Sequence, residues 1–210
     1  ATPDETGRHL VLSLSRMNRL RALDTADMTM TVDAGMVLKT AQTLAAEAGC
    51  LFPLSLGAEG TATIGGVLST NAGGNTTVRF GNARELMLGI EAVLPDGTIW
   101  NGLRRLRKDN TGYALRHLLV GAEGTLGIVT GAVLRLFPRP RDTAVAFCAV
   151  ADEDAALGLF RRFRERDDSA VRAFEYMSGL GVDFAIRHIE GVSLPLGTRA
   201  DHYVLVDLAS

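Results

Sequence analysis

The chain has 210 residues, 47% of them hydrophobic, which suffices for one large or two modest domains with a buried core. Lys plus Arg total 22 and Asp plus Glu total 24, so the net charge of -2 offers no basic surplus to draw a nucleic acid or an anionic membrane as partner. Cys50 and Cys148 lie far apart without CxxC or CxxH spacing, which argues against a disulfide framework or structural zinc and for a reducing cytoplasm, and no apolar run approaches the roughly 18 residues needed to span a bilayer.

The start, Ala1 to Glu5, has no signal-peptide pattern and no initiator Met, as expected of a chain that begins inside a longer protein. His9 to Leu14 then predicts a short buried strand. Met28 to Ala34 alternates Met, Met, Val, Ala against Thr, Thr, Asp, the pattern of a half-buried strand. Met36 to Ala48 carries Val37, Ala41, Leu44, Ala45 and Ala48 on one stripe and predicts a helix ended by Gly49. Leu88 to Leu94 and Thr98 to Asn101 flank Pro95-Asp96-Gly97 and predict a hairpin. A basic run at Arg104, Arg105, Arg107 and Lys108 follows, then a predicted short helix from Tyr113 to Leu119. Thr125 to Phe137 reads as a turn and a long strand ended by Pro138 and Pro140. Beyond that point Ala144 to Val150, Val171 to Met177 and Tyr203 to Leu208 read as strands, and Asp152 to Arg166 and Leu180 to His188 as helices, with Asp152 as an N-cap. The expected division is 1–138 and 139–210, in an α+β fold.

Between Gly57 and Gly74, six of eighteen residues are Gly, among Thr, Ser, Asn and Ala. Ile64, Val67 and Leu68 give this run apolar anchors, so it predicts an ordered loop and not a flexible spacer. It contains no Lys, Arg or Pro, so every residue keeps a backbone N–H. Successive amides in tight turns hold a diphosphate through dipoles without a cationic side chain, and Thr61, Thr63, Ser69 and Asn71 offer further donors. The run lacks GxxxxGK[ST], and no GxGxxG lies between strand and helix, so P-loop and Rossmann readings are poor. Composition alone leaves two alternatives, a phosphate cradle and a structural loop crossing a sheet.

The stretch from Pro53 to Gly66, PLSLGAEGTATIGG, followed by Asn71-Ala72-Gly73-Gly74, resembles the second flavin-binding segment of the FAD-linked D-2-hydroxy acid dehydrogenases of the vanillyl-alcohol oxidase/p-cresol methylhydroxylase superfamily. That family includes D-lactate and D-2-hydroxyglutarate dehydrogenases and the glycolate oxidase flavin subunit. Leu106 to Tyr113 resembles its KDNTGYDL element, and Gly121 to Thr130 its GSEGTLGIIT element; Ala114 stands where the family has Asp. Ala173-Phe174-Glu175 and His202 to Val206 resemble pieces of its substrate-side cap domain.

The resemblance implies FAD as cofactor, a p-cresol methylhydroxylase-type FAD-binding domain over 1–138 lacking its N-terminal pyrophosphate loop, and an incomplete cap over 139–210. It implies that Pro53, Leu56, Gly57, Ala58, Gly60, Thr61, Thr63, Ile64, Gly66, Asn71 and Gly73 lie along the flavin nucleotide, with Glu123, Gly124 and Ile128 near its adenosine half. Ile128 reads equally as an ordinary core strand residue. The implied substrate is a small 2-hydroxy acid, and the implied electron acceptor a quinone, cytochrome or electron-transfer flavoprotein, in a cytoplasmic or membrane-peripheral protein. Lys108 and Asn110 offer a carboxylate clamp, but solvated surface charge is the preferred reading. His9, His117, His188 and His202 show no metal-ligand spacing, so no metal site is expected and no catalytic residue is nominated. A first pyrophosphate loop and a His-rich C-terminal segment, both expected in the family, are missing. The alternatives are therefore a non-catalytic flavin-binding or interaction module and a fragment unable to hold FAD.

Overall fold

The computed structural model describes residues 5–8 and 10–210. In chain order the elements are β1 (Leu20–Asp24), β2 (Thr29–Asp33), α1 (Leu38–Glu47), β3 (Cys50–Leu51), α2 (Ile64–Ser69), α3 (Thr77–Phe80), β4 (Met87–Val93) and β5 (Ile99–Gly102), then α4 (Arg116–Leu119), β6 (Ile128–Arg135), β7 (Phe137–Pro138), β8 (Thr143–Val150), α5 (Glu153–Asp167), β9 (Val171–Ser178), α6 (Gly179–His188) and β10 (His202–Ala209). The sheets are antiparallel and the architecture is α+β. Two units result, one of Ala1–Ala72 with Asn82–Arg139 and one of Gly73–Gly81 with Pro140–Ser210.

In the first unit five strands run in the order β1-β2-β6-β4-β5. Cross-strand partners share a face, so Val32, Ala132 and Ile90 project to one side, and Asp33, Gly131 and Glu91 to the other. The apolar side is fully buried at Met30, Val32, Ile90, Ala132 and Leu134, and α1 adds Leu38, Ala41 and Ala45 to the core. Each large aliphatic side chain so buried contributes roughly 1.5–3 kcal/mol.

The other side carries a charged network. Arg21 Nε donates to Asp33 Oδ1 at 2.6 Å, while the Arg19 backbone N–H and Nε donate to Oδ2 at 3.0 and 3.3 Å. The two Arg21 terminal nitrogens grip Glu91 at 2.9 and 3.2 Å, and the Thr130 hydroxyl donates to the same carboxylate at 2.8 Å. Gly131 leaves room for the guanidinium, because a Cβ there would lie 2.9 Å from Arg21 Cζ. This network explains one departure from the expected half-buried strand, Asp33 being as buried as Met30 and Val32; Thr29 is buried as well. A carboxylate tolerates that position only because two arginines reach it. Burial acting alone would push the Asp33 carboxyl up, but the hydrogen bonds from Arg21 and Arg19 outweigh it and hold the carboxyl below its ordinary pKa.

Other expectations are corrected here. In the strand predicted over His9–Leu14, His9 lies outside the described residues and Leu10 to Leu14 forms no strand, with Leu10, Val11 and Leu12 exposed. The sheet edge beside β2 is taken instead by β1, a segment with no alternating pattern. Part of the expected glycine-rich loop is helical, as α2. The helix expected over Tyr113–Leu119 shrinks to its last turn, α4. There the Arg84 guanidinium donates to the His117 and Val120 carbonyls at 2.6 and 2.7 Å, meeting acceptors that a longer helix would have used internally. The long strand predicted before the prolines ends at Arg135, and Phe137–Pro138 pairs separately with Cys50–Leu51.

In the second unit β10 lies between β8 and β9. Val204 and Val206 on β10 are fully buried and pack with Ala156 of α5 and with Phe163 and Phe174. Asp152 accepts a hydrogen bond from the Ala155 N–H at 2.7 Å and caps α5. The short helix α3 packs against β9, which brings Gly73–Gly81 into this unit.

Candidate functional site

The segment Pro53 to Thr63 is held down by α1. Pro53 and Leu54 are buried, Leu56 is half-buried, and the Leu54 carbonyl accepts from Gln42 Nε2 at 2.7 Å. The first N–H groups of α1, at Leu38 and Lys39, donate to the Ala62 and Glu59 carbonyls at 2.8 and 2.9 Å, so the loop satisfies donors that a helix start leaves open. Glu59 points back into this contact, receiving Lys39 Nζ at 2.8 Å, Gln42 Nε2 at 3.0 Å and the Ser55 hydroxyl at 3.5 Å. Its hydrogen bond with Lys39 is the main cause of a pKa below the ordinary glutamate value, with help from Gln42.

Within the loop, Glu59 N–H donates to the Leu56 carbonyl, and the Thr61 and Ala62 N–H groups both donate to the Ala58 carbonyl. The Thr61 hydroxyl also donates to Ala58, at 3.3 Å. Gly57, Ala58 and Gly60 are exposed, and their N–H groups have no partner among the described residues. The loop is therefore built by some of its amides and presents others outward.

Thr63 ends the loop and starts α2, its hydroxyl accepting from the Gly66 N–H at 3.3 Å. Thr63→Ala is expected to lower the unfolding free energy by about 1 kcal/mol, and Thr63→Ser to restore most of it, in urea denaturation. Ile64 is fully buried and anchors the helix, with its N–H on the Met36 carbonyl at 2.8 Å. The Gly65 N–H donates to Ala34 O at 2.6 Å, and a Cβ at Gly65 would sit 3.0 Å from Ala34 Cβ. Gly66 is exposed beside them.

The far end of α2 gathers the remaining residues of this unit. Asn71 has a left-handed backbone (φ 49°), and its Oδ1 accepts from the Arg84 N–H at 3.0 Å. The Gly121 and Glu123 N–H groups donate to the Leu68 and Ser69 carbonyls at 3.0 and 2.9 Å. Gly121, Glu123 and Gly124 all have positive φ, and Glu123 takes that conformation without being glycine. Gly124 is exposed. Ile128 opens β6 at 40% exposure, which corrects its reading as an ordinary core residue. The fold thus ties the Pro53 to Ala62 loop to α1, and Asn71 and Gly121 to Gly124 to α2, while Gly73 belongs to the second unit. Lys108 and Asn110 are exposed and have no partner among the described residues, whereas Arg104 pairs with Asp109.

Sequence reading missed the two residues that clamp this region, Gln42 and Arg84. Their partners lie 12 to 36 positions away, and neither spacing matches any motif. It also missed the Tyr176 hydroxyl at 2.6 Å from His202 Nδ1 in the second unit, a pair that exists only because β9 and β10 are neighbours.

Residues 2–102 match the FAD binding domain family. The chain is 36% identical over 198 residues to the D-2-hydroxyglutarate–pyruvate transhydrogenase of Saccharomyces cerevisiae, covering 94% of this chain and 40% of that protein. It is 38% identical over 200 residues to the mitochondrial D-2-hydroxyglutarate dehydrogenase of Bos taurus, covering 95% and 36%. With the D-2-hydroxyglutarate dehydrogenase of Xanthomonas citri pv. viticola it shares 36% identity over 201 residues, covering 96% and 42%. The chain thus spans about two fifths of the length of the curated relatives it matches. A solved structure of alkyldihydroxyacetonephosphate synthase superposes with a TM-score of 0.74 at 18% identity, over 94% of this chain and 38% of that one, a likeness of fold. No helix among the described residues is long and apolar enough to cross a membrane. Over residues 2–102 the chain thus matches an FAD binding domain, and along nearly all of its length it is similar to D-2-hydroxyglutarate dehydrogenases of which it spans about two fifths.

Proposed function

We propose that the protein is a flavin-dependent dehydrogenase that oxidises a small D-2-hydroxy acid, of the 2-hydroxyglutarate, lactate or glycolate type, and passes the electrons to a quinone, cytochrome or electron-transfer flavoprotein. The observation that carries this reading is the exposed set of backbone amides at Gly57, Ala58 and Gly60, unpaired among the described residues, on a loop locked in place by α1 and containing no cationic side chain. Such a donor set fits an anionic or carbonyl-rich edge of a flavin nucleotide, which rigid dipoles bind without competing charge. In this proposal Pro53, Leu56, Ala58, Thr61, Thr63, Ile64, Gly66 and Asn71 line the nucleotide, and Glu123, Gly124 and Ile128 lie toward its adenosine half. The Asn71 amide nitrogen is the side-chain donor, the Thr61 hydroxyl proton being engaged by the Ala58 carbonyl, while Ile64 acts by anchoring α2. Bound FAD supplies the hydride acceptor; the chain's own part is to hold and orient it. The free Cys50 and Cys148 agree with a reducing, cytoplasmic setting.

The test is an anaerobic incubation of the FAD-loaded protein with D-2-hydroxyglutarate, D-lactate and glycolate, following the visible flavin band. Bleaching by at least one D-2-hydroxy acid or by glycolate, with no bleaching by L-2-hydroxyglutarate, is the expected result. Bound flavin that none of them bleaches would favour the non-catalytic flavin-binding module. Failure to take up FAD at all would overturn the reading of the loop.

A further inference from the structure

A cleft of about 310 Å³ opens beside the β4–β5 hairpin, its lining including Trp100, Arg104, Asp109, Tyr113, Ala114 and Arg116. None of the amide-bearing turns described above contributes to it, so it does not depend on the flavin reading. Its charges are unequally satisfied. Arg104 donates to Thr111 Oγ1 at 2.8 Å and to Asp109 at 3.3 Å, and Asp109 also accepts the Thr111 hydroxyl at 2.6 Å. Arg116 makes no hydrogen bond or ion pair among the described residues, although its Nε is shut off from solvent. The terminal nitrogens, which are neither shut off nor bonded among the described residues, are the donors that a ligand in the cleft would meet, and a planar oxyanion is the partner that such a fork suits best.

The surroundings select the sign of that partner. From Arg104 to Arg116 the chain carries Arg104, Arg105, Arg107, Lys108 and Arg116 against Asp109 alone. Arg105 and Arg107 are drawn off toward Asp24 and the Asp27 carbonyl, which leaves Arg116 as the uncommitted cation of the cleft. Ala114, in the same lining, brings no carboxylate at a position where the family resemblance leads one to expect Asp. Two aromatic rings, Trp100 and Tyr113, complete the walls, and Tyr113 is 95% exposed. A small, mainly polar cleft with one convergent unpaired cation suits a compact charged ligand better than an apolar one.

We propose that this cleft is a binding site for a compact oxyanion, carrying a carboxylate or a phosphate group, held by Arg116. Trp100 is the chain's single tryptophan and lines the cleft, so its emission reports occupancy directly. The experiment titrates the protein with inorganic phosphate and, separately, with glutarate, at ionic strength held constant with sodium chloride. The expected result is a saturable change in Trp100 emission with a dissociation constant on the order of 1 mM. Saturation by phosphate alone assigns a phosphorylated ligand, and saturation by glutarate alone a carboxylate. Arg116→Gln is expected to weaken binding at least tenfold, and Ala114→Asp, which places a carboxylate in the cleft, to do the same. Should Arg116→Gln fail to fold by circular dichroism, Ala114→Asp carries the test. No response beyond that of sodium chloride, or parent-like affinity in the folded variants, would overturn the proposal.

Discussion

Asp33→Ala is expected to lower the unfolding free energy by about 3 kcal/mol, at the lower end of the range for breaking a buried ion pair. The Asp33 side chain is 1% exposed and accepts three hydrogen bonds from Arg19 and Arg21. Removing it leaves the Arg21 Nε without its 2.6 Å acceptor and frees the Arg19 N–H, while Glu91 still holds the far side of the Arg21 guanidinium. That surviving contact keeps the loss below the top of the range. The sign of the accompanying pH effect is fixed by direction. Glu91 is held below its ordinary pKa chiefly by the Arg21 hydrogen bond, and Asp33 is also lowered, burial notwithstanding. A carboxylate with a depressed folded-state pKa contributes stability that is present above about pH 4 and lost as the pH falls through the lowered value. Urea denaturation across the acid range should therefore show a steep acid limb in the parent and a shallower one in Asp33→Ala. Equal slopes would mean that Asp33 titrates alike in both states.

Gly65→Val is expected to destabilise the fold by about 1–3 kcal/mol and to weaken FAD binding at least tenfold. The first branch of that side chain would lie 3.0 Å from Ala34 Cβ and 3.1 Å from the Ala34 carbonyl, where the 2.6 Å hydrogen bond from Gly65 N–H now pins α2 to the end of β2. Helix α2 must lift, and the turn at Gly121 to Gly124, hooked to the Leu68 and Ser69 carbonyls, must follow. One substitution thereby disturbs two parts of the proposed flavin cradle, α2 and the Gly121 to Gly124 turn. Gly60→Ala separates folding from binding. A Cβ at Gly60 meets nothing within 4 Å, so unfolding should change little, yet the methyl group stands beside one of the free amides. Quenching of flavin fluorescence on titration with FAD measures both variants. Parent-like affinity in Gly65→Val would remove α2 from the cradle.

How far the sequence reveals this molecule depends on whether a signal is local. The Pro95-Asp96-Gly97 hairpin, the helix after Asp152 and the strands after Pro140 are written in neighbouring residues, and the structure places them within a residue or two of expectation. Two motifs, Pro53 to Gly74 and Gly121 to Thr130, mark the segments proposed for the candidate site. What escaped is the machinery between them. Leu20–Asp24 has no alternation because Arg21 and Asp24 serve polar contacts, so β1 could not be distinguished from a loop. Leu10 to Leu12 has the composition of a strand but finds no ladder among the described residues. Arg84 looks like any surface arginine, yet it braces Asn71, His117 and Val120 together. Such residues gain their roles from chain segments brought near only by folding, and composition carries no trace of that.

The position of β10 has a kinetic consequence. It is the most C-terminal of the three strands in its sheet, yet it lies between the other two, so β8 and β9 each lack their ladder partner in this sheet until it arrives. As the polypeptide leaves the ribosome, α5 and α6 emerge beside two strands that have nothing to zip onto, and cooperative assembly of this unit waits for His202–Ala209. A nascent chain stalled before His202 would expose apolar strand surface to chaperones, and release of the following eight residues would set the rate at which that surface disappears.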